Sequence, residues 1–173
     1  FRSKDINHHI ESILETPNII YDTNQKLISN GIVDIEDEKV RDQFFASMLQ
    51  SYSDNIYSFS YGTEEGEYYG ARRTENGEIE IMRNNEQTGG ESWYYSMNED
   101  LSAGELRAKA GAFDPRTRNW YIAAKQAGTA VFSPVYKHFI MPDLAISSAC
   151  PIYESDGSLR RSEEHTSELQ SLI

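Results

Sequence analysis

At Ile56 the spacing of apolar side chains changes from helical to alternating, and that switch divides the chain in two. Tyr57, Phe59 and Tyr61 fall on one face of an extended segment, with Ser58 and Ser60 on the other. Two turn signals follow. Gly62-Thr63-Glu64-Glu65-Gly66 is the first, and Thr74-Glu75-Asn76-Gly77 the second, whose Asn-Gly pair is the strongest short hairpin signal. They separate strands expected from Ile56, over Glu67 to Arg73 and over Glu78 to Arg83. Connections this short demand antiparallel pairing.

Upstream of the switch, Ile6, Ile10, Ile13 and Leu14 recur at the spacing of one helix face. Pro17 kinks that helix or opens a new turn, and Ile19-Ile20 and Leu27-Ile28 carry it to a stop at Asn30-Gly31. Asp34 or Asp37 caps a second helix, about Glu38 to Tyr52, with Val40, Phe44, Phe45 and Met48 at helical spacing. Downstream, Asn84 to Gly90 reads as a polar connection, Ser92 to Met97 as strand or helix, and Asn98 to Ala112 stays unassigned. A turn after Phe113 leads into a short helix, Trp120 to Ala127, stopped by Gly128. Strands at about Ala130 to Tyr136 and Leu144 to Tyr153 bracket the loop Lys137 to Asp143, where Pro142 breaks any ladder. The sum is an α+β chain: a long N-terminal helix and an antiparallel sheet of about five strands flanked by helices. It divides into a helical scaffold over residues 1–52 and a sheet domain over 53–160.

A chain of 173 residues supports one hydrophobic core. Its 16 Lys and Arg against 28 Asp and Glu give a formal charge of −12, which argues against nucleic-acid phosphate or an anionic membrane face as the main partner. The lone Cys150 excludes an internal disulfide and a multi-cysteine zinc site, and in its apolar strand it reads as an inert core thiol. The chain holds no apolar run long enough to span a bilayer. It opens on Phe1 rather than Met, so the N-terminus is expected to be cut.

After the turn Glu154-Ser155-Asp156-Gly157 a further strand is due, but Arg161 to Ser171 closely resembles one reading frame of the indexing adapter ligated to short-read sequencing libraries. Residues 161–173 are therefore expected to be an artefactual tail, the alternative being an amphipathic tail, and carry no functional argument. Without the one Arg and three Glu in that stretch the charge is −10, so the acidic balance stands. Without the missing strand, a sheet edge is expected to stay unpaired and to invite aggregation.

The densest chemistry lies in Phe113-Asp114-Pro115-Arg116-Thr117-Arg118-Asn119-Trp120-Tyr121, two guanidinium groups and large aromatics beside a helix start. A guanidinium is a planar fork that matches two carboxylate oxygens, and such charge-assisted bonds contribute roughly 1.5–3 kcal/mol when shielded from water. Trp120 and Tyr121 supply shielding and a face for a ligand ammonium. The structural alternative is that Asp114 pairs with Arg116 to hold the turn while Trp120 plugs the core.

Four ordered segments carry a resemblance: Gly62 to Ala71, Phe113 to Tyr121, Phe132-Ser133-Pro134-Val135-Tyr136, and Ala149 to Tyr153 with Asp156-Gly157. In that order they resemble the motifs of the double Cache family, extracytoplasmic sensor modules of bacterial transmembrane receptors, over about Phe1 to Arg160. The resemblance implies a PAS-like, membrane-distal sensing domain over 53–160, on a long helix rising from a transmembrane segment at the plasma membrane. It implies that Arg118, Trp120 and Tyr121 face a small ligand, an amino acid or another carboxylate, with Arg118 on the carboxylate. Tyr136 lines the same pocket, His138 is a weaker candidate, and Asp114 and Arg116 hold the turn. Phe113 stands where amino-acid sensors tend to carry Tyr, and Asn119 where Pro is frequent. No cofactor, metal or catalytic residue is implied. A homodimer through the N-terminal helix is expected, with a histidine kinase, chemoreceptor rod or nucleotide cyclase as the output half.

Other signals weigh less. Gly62 to Gly66 encloses two glutamates, so repulsion opposes phosphate and a turn is the better reading. His8 and His9 are adjacent and point about 100° apart on a helix, too divergent for a shared metal. Two rival functions remain: a carbohydrate-binding module stacking sugars on Trp93, Tyr94 and Tyr95, and a hydrolase using unassigned carboxylates. Alternation along a strand argues against the first.

Overall fold

A computed structural model describes residues 18–52, 56–132, 136–137, 144–153 and 159–168, with side chains over 18–52, 56–132 and 147–153. The helical spacing at Ile6 to Leu14, Pro17, the histidines at 8 and 9, His138 and the turn at 154–157 lie outside the described residues. Helix α1 covers residues 18–29 and ends at Gly31, whose φ is 69°, where the amides of Ile32 and Val33 fold back onto the Leu27 carbonyl. This is the stop that Asn30-Gly31 predicts. Helix α2, Glu38–Ser51, is capped by Asp37, whose carboxylate accepts from the Val40 amide at 3.0 Å. Asp34 instead accepts from the Glu36 amide at 3.1 Å and shapes the turn between the helices.

The predicted hairpins are present as β1 (Ile56–Thr63), β2 (Tyr68–Arg73) and β3 (Ile79–Asn84), paired antiparallel in sequence. The ambiguous aromatic segment is strand β4, Glu91–Met97, and it pairs with β3. The unassigned stretch holds β5, Ala103–Ala112, the edge strand. It was illegible because Glu105 to Lys109 are all exposed and its register with β4 shifts three times, which erases alternation. Helix α3, Asn119–Ala127, ends at Gly128, whose amide donates to Ala124. Two short strands, β6 (Val131–Phe132) and β7 (Tyr136–Lys137), occupy the ends of the predicted Ala130 to Tyr136 strand, and both pair with β8, Leu144–Tyr153.

Strand β9, Leu159–Glu168, lies between β1 and β8 and pairs antiparallel with both. This corrects the expectation that no strand follows the 154–157 turn. Pairing uses backbone N–H and C=O groups, which any proline-free segment supplies, and β1 and β8 each present an edge to it. Among the described residues the sheet runs β5-β4-β3-β2-β1-β9-β8-β6, with β7 also on β8, so the α+β antiparallel architecture is present and the sheet extends beyond its predicted strands.

Every position of β1 is buried, because both faces of the sheet are covered. On one face Ile20, Ile28, Ile35, Phe45 and Leu49 from the N-terminal helices and their connection pack on Phe59, Tyr61, Tyr69, Ala71 and Ile152. Arg73 from β2 ties α2 down: its guanidinium donates to the carbonyls of Leu49 at 2.7 Å and Tyr52 at 3.2 Å, groups that a helix C-terminus leaves unpaired. Arg83 pairs with Asp42 and, at 2.9 Å, with Glu38 on the same helix. On the other face Trp120, Tyr121 and Ala124 of α3 pack with Ala149, Tyr68 and Val131. Cys150 is half-buried rather than in the core.

Candidate functional site

The face of the sheet beneath α3 is partly polar. Ser58, Ser60 and Ser147 are each under a tenth exposed. Ser58 and Ser60 alternate with the core aromatics of β1, and register places Ser60 opposite Gly70 and Ser58 opposite Arg72. Arg72 forms a half-hidden ion pair with Glu80 at 2.9 Å and lies 3.3 Å over the ring of Tyr94. Burial pushes the Tyr94 phenol up to about 12.

At one end of this face stands an aromatic wall. The Tyr68 ring centroid is 4.7 Å from Phe113 and 6.0 Å from Trp120, and the Tyr68 hydroxyl donates to Ser60 at 2.9 Å. Phe113 is placed from both sides: its amide donates to the Gly90 carbonyl, and its own carbonyl accepts from the buried Asn84 side chain at 2.8 Å. Arg118 is the N-cap residue of α3, and its guanidinium lies 5.4 Å from the Phe113 ring centre. Phe113, Arg118 and Trp120 therefore come together beside Tyr68.

Tyr121 is 2% exposed, and its ring meets Trp120 edge-on at 5.6 Å. Its hydroxyl donates to the carboxylate of Glu64, in the β1–β2 turn. Burial first, and that carboxylate second, hold the phenol well above its ordinary range. Glu64 also accepts from Lys125 at 2.6 Å, and this bond, with that from Tyr121, holds its carboxyl below the ordinary pKa of 4.5. Gly62 permits this approach, since a Cβ there would stand 2.6 Å from the Pro115 Cβ and 3.2 Å from Tyr121.

Asp114 caps the 3-10 turn Pro115–Thr117 by accepting from the Arg116 amide at 3.0 Å, and its carboxylate pairs with the Arg116 guanidinium at 2.8 Å. That pairing holds Asp114 below its ordinary value. Arg116 also donates to the Glu64 carbonyl at 3.1 Å. Tyr136 is described only in its backbone, in β7. Tyr68, Ser60, Asn84 and Glu64 were not among the sequence candidates. Alternation had put Ser60 opposite the core face, but nothing in the sequence links Glu64 to Lys125, 61 residues on.

The aromatic triplet of β4 does not form a sugar platform. Tyr94 is 3% exposed and faces away from its neighbours. The Trp93 ring is covered by the Lys109 ammonium at 4.1 Å, and Tyr95 by Arg83 at 5.0 Å. Among the described residues no group of three or more His, Cys, Asp or Glu is placed to hold a metal ion, and no helix is long and apolar enough to cross a membrane.

No protein-family model matches the chain, and no curated protein does. Solved structures do. The ligand-binding domain of Mlp24 with asparagine superposes with a TM-score of 0.55 at 18% identity, over 97% of this chain and 55% of that one. The ligand-binding domain of the Campylobacter jejuni chemoreceptor Tlp3, in complex with L-norvaline, gives 0.59 at 15% identity over 98% and 56%. That of the Pseudomonas aeruginosa amino acid chemoreceptor PctC, in complex with GABA, gives 0.57 at 19% identity over 94% and 60%. The chain thus spans a little over half the length of these domains. Over that part the chain shares the fold of these ligand-binding domains, and the α+β architecture is the one that the double Cache resemblance of its motifs implies.

Proposed function

We propose that the chain is part of the extracytoplasmic ligand-sensing domain of a membrane signal-transduction receptor, and that it binds a small carboxylate-bearing metabolite such as an amino acid. The observation that carries the reading is the Arg118 guanidinium at the start of α3, seated over Phe113 beside the Tyr68 and Trp120 rings. A cation shielded by aromatic walls binds a carboxylate more strongly than one in open water, because the low local dielectric weakens the competition. The three similar structures hold asparagine, L-norvaline and GABA, all of them amino carboxylates.

In this reading residues 1–52 are the helical scaffold and 53–160 the membrane-distal sensing unit. Arg118 takes the ligand carboxylate, Trp120 and Phe113 shield it, and Tyr121 contributes its ring while its hydroxyl stays on Glu64. Tyr136 and His138 line the pocket from the β6–β8 segment. Asp114 and Arg116 hold the turn that presents Arg118. Ligand binding favours one of two arrangements of the domain, and the N-terminal helix carries the difference toward the membrane and the output module. A homodimer through that helix is part of the same proposal.

Titration calorimetry against asparagine, L-norvaline and GABA tests the reading. At least one is expected to bind, with Arg118→Ala lowering affinity by about 10-fold to 100-fold. Absence of binding by all three and by a wider carboxylate panel overturns it, as does binding that Arg118→Ala leaves unchanged.

A further inference from the structure

The Glu64 carboxylate lies in the turn between β1 and β2, yet it is bonded to α3. It accepts from the Tyr121 hydroxyl and, at 2.6 Å, from Lys125. Tyr121 and Lys125 are four residues apart, so one face of α3 is held at two points to a single acceptor. The backbone of the same residue accepts from Arg116 at 3.1 Å, which adds the preceding 3-10 turn to the contact. Arg118 sits between these attachments. Its amide donates to the Pro115 carbonyl at 3.0 Å, and its carbonyl accepts from Ile122 at 3.1 Å. Pro115 and Tyr121 in turn press on Gly62, where no side chain fits. The β1–β2 turn therefore adds to the packing of Trp120, Tyr121 and Ala124 on Ala149 and Val131 in fixing the α3 N-terminus over the sheet.

We infer that Glu64 is a positioning residue for Arg118: it clamps Tyr121, Lys125 and Arg116 to the β1–β2 turn and so keeps the Arg118 guanidinium over the Phe113 ring. Glu64 does not touch the ligand in this scheme. It acts by limiting the orientations that α3 can sample, so that little freedom is left to lose on binding. Both interactions of the carboxylate matter. Glu64→Gln keeps an acceptor for Tyr121 but loses the charge facing Lys125, whereas Glu64→Ala loses both.

The test has a ligand-free arm and a ligand arm, and only the second rests on the proposed function. In the ligand-free protein the Arg118 Nε–H resonance is expected to carry a ring-current shift from Phe113. Glu64→Ala is expected to abolish that shift, and Lys125→Met to reduce it, with the fold preserved by circular dichroism. In the ligand arm, affinity for the tightest binder among asparagine, L-norvaline and GABA is expected to fall about 10-fold in Glu64→Ala and about 3-fold in Glu64→Gln. The preference for L-norvaline over its carboxamide, L-norvalinamide, should shrink in parallel, a change that general destabilisation does not produce. An Arg118 resonance unmoved by both Glu64→Ala and Lys125→Met overturns the inference, whichever ligands bind. If the resonance moves as expected while no amino carboxylate binds the parent protein, the clamp stands and the proposed function fails.

Discussion

Arg118 at the start of α3 and Glu64 in the β1–β2 turn are joined through Tyr121 and Lys125, which both bond the Glu64 carboxylate. Arg118 stood out because two guanidinium groups and three aromatics fall within nine residues, a local pattern that needs no fold to be seen. Glu64 did not, because its partners are 57 and 61 residues away and pairing at that distance is decided by the sheet, not by spacing. Tyr68 was hidden for the same reason: only the β1–β2 register brings its hydroxyl to Ser60. Two substitutions separate the roles at this scale. Gly62→Ala places a methyl 2.6 Å from Pro115, and the expected outcome is weaker ligand affinity together with a lowered melting temperature, measured by calorimetry and thermal denaturation. Asp37→Ala, at the far cap of α2, is expected to cost about 1 kcal/mol of stability in denaturant unfolding and to leave ligand affinity unchanged.

At the scale of elements, periodicity and punctuation located α1, α2, the three hairpin strands and α3, since each has an apolar face or a glycine stop of its own. They failed at β5, whose exposed, bulged edge has no face to announce it, and at β9, whose pairing rests on backbone groups. The docking of α3 on the β1–β2 turn carries a pH dependence with a definite sign. Glu64 has a folded value below the ordinary 4.5, so its contribution is fully present above about pH 4.5 and is lost as pH falls through the folded value. Asp114 adds in the same direction, from an ordinary value of 3.8. Acid titration followed by Trp120 fluorescence, in a Trp93→Phe background, is expected to show α3 loosening below pH 4.5. Glu64→Gln should diminish that step.

At the scale of the whole molecule, the sheet separates two layers of different composition. The layer beneath α1 and α2 is built mainly of apolar and aromatic side chains, with Asn24, Arg41 and Asp42 buried among them, and stability is expected to reside there. Phe45 is 1% exposed and packs against Tyr61 at 5.3 Å, so Phe45→Ala is expected to cost about 3–5 kcal/mol in denaturant unfolding while sparing affinity in the variant that remains folded. The layer beneath α3 mixes serines and an internal ion pair with rings, and the proposed ligand site lies on this side. In the proposed function Arg118 holds a carboxylate there. The most direct measurement is a crystal structure of the domain with its tightest-binding amino carboxylate. Both carboxylate oxygens are expected about 2.7–2.9 Å from the Arg118 guanidinium, with the ligand against Phe113 and Trp120. A ligand bound elsewhere on the domain, or an Arg118 side chain turned away from it into solvent, overturns the proposed function.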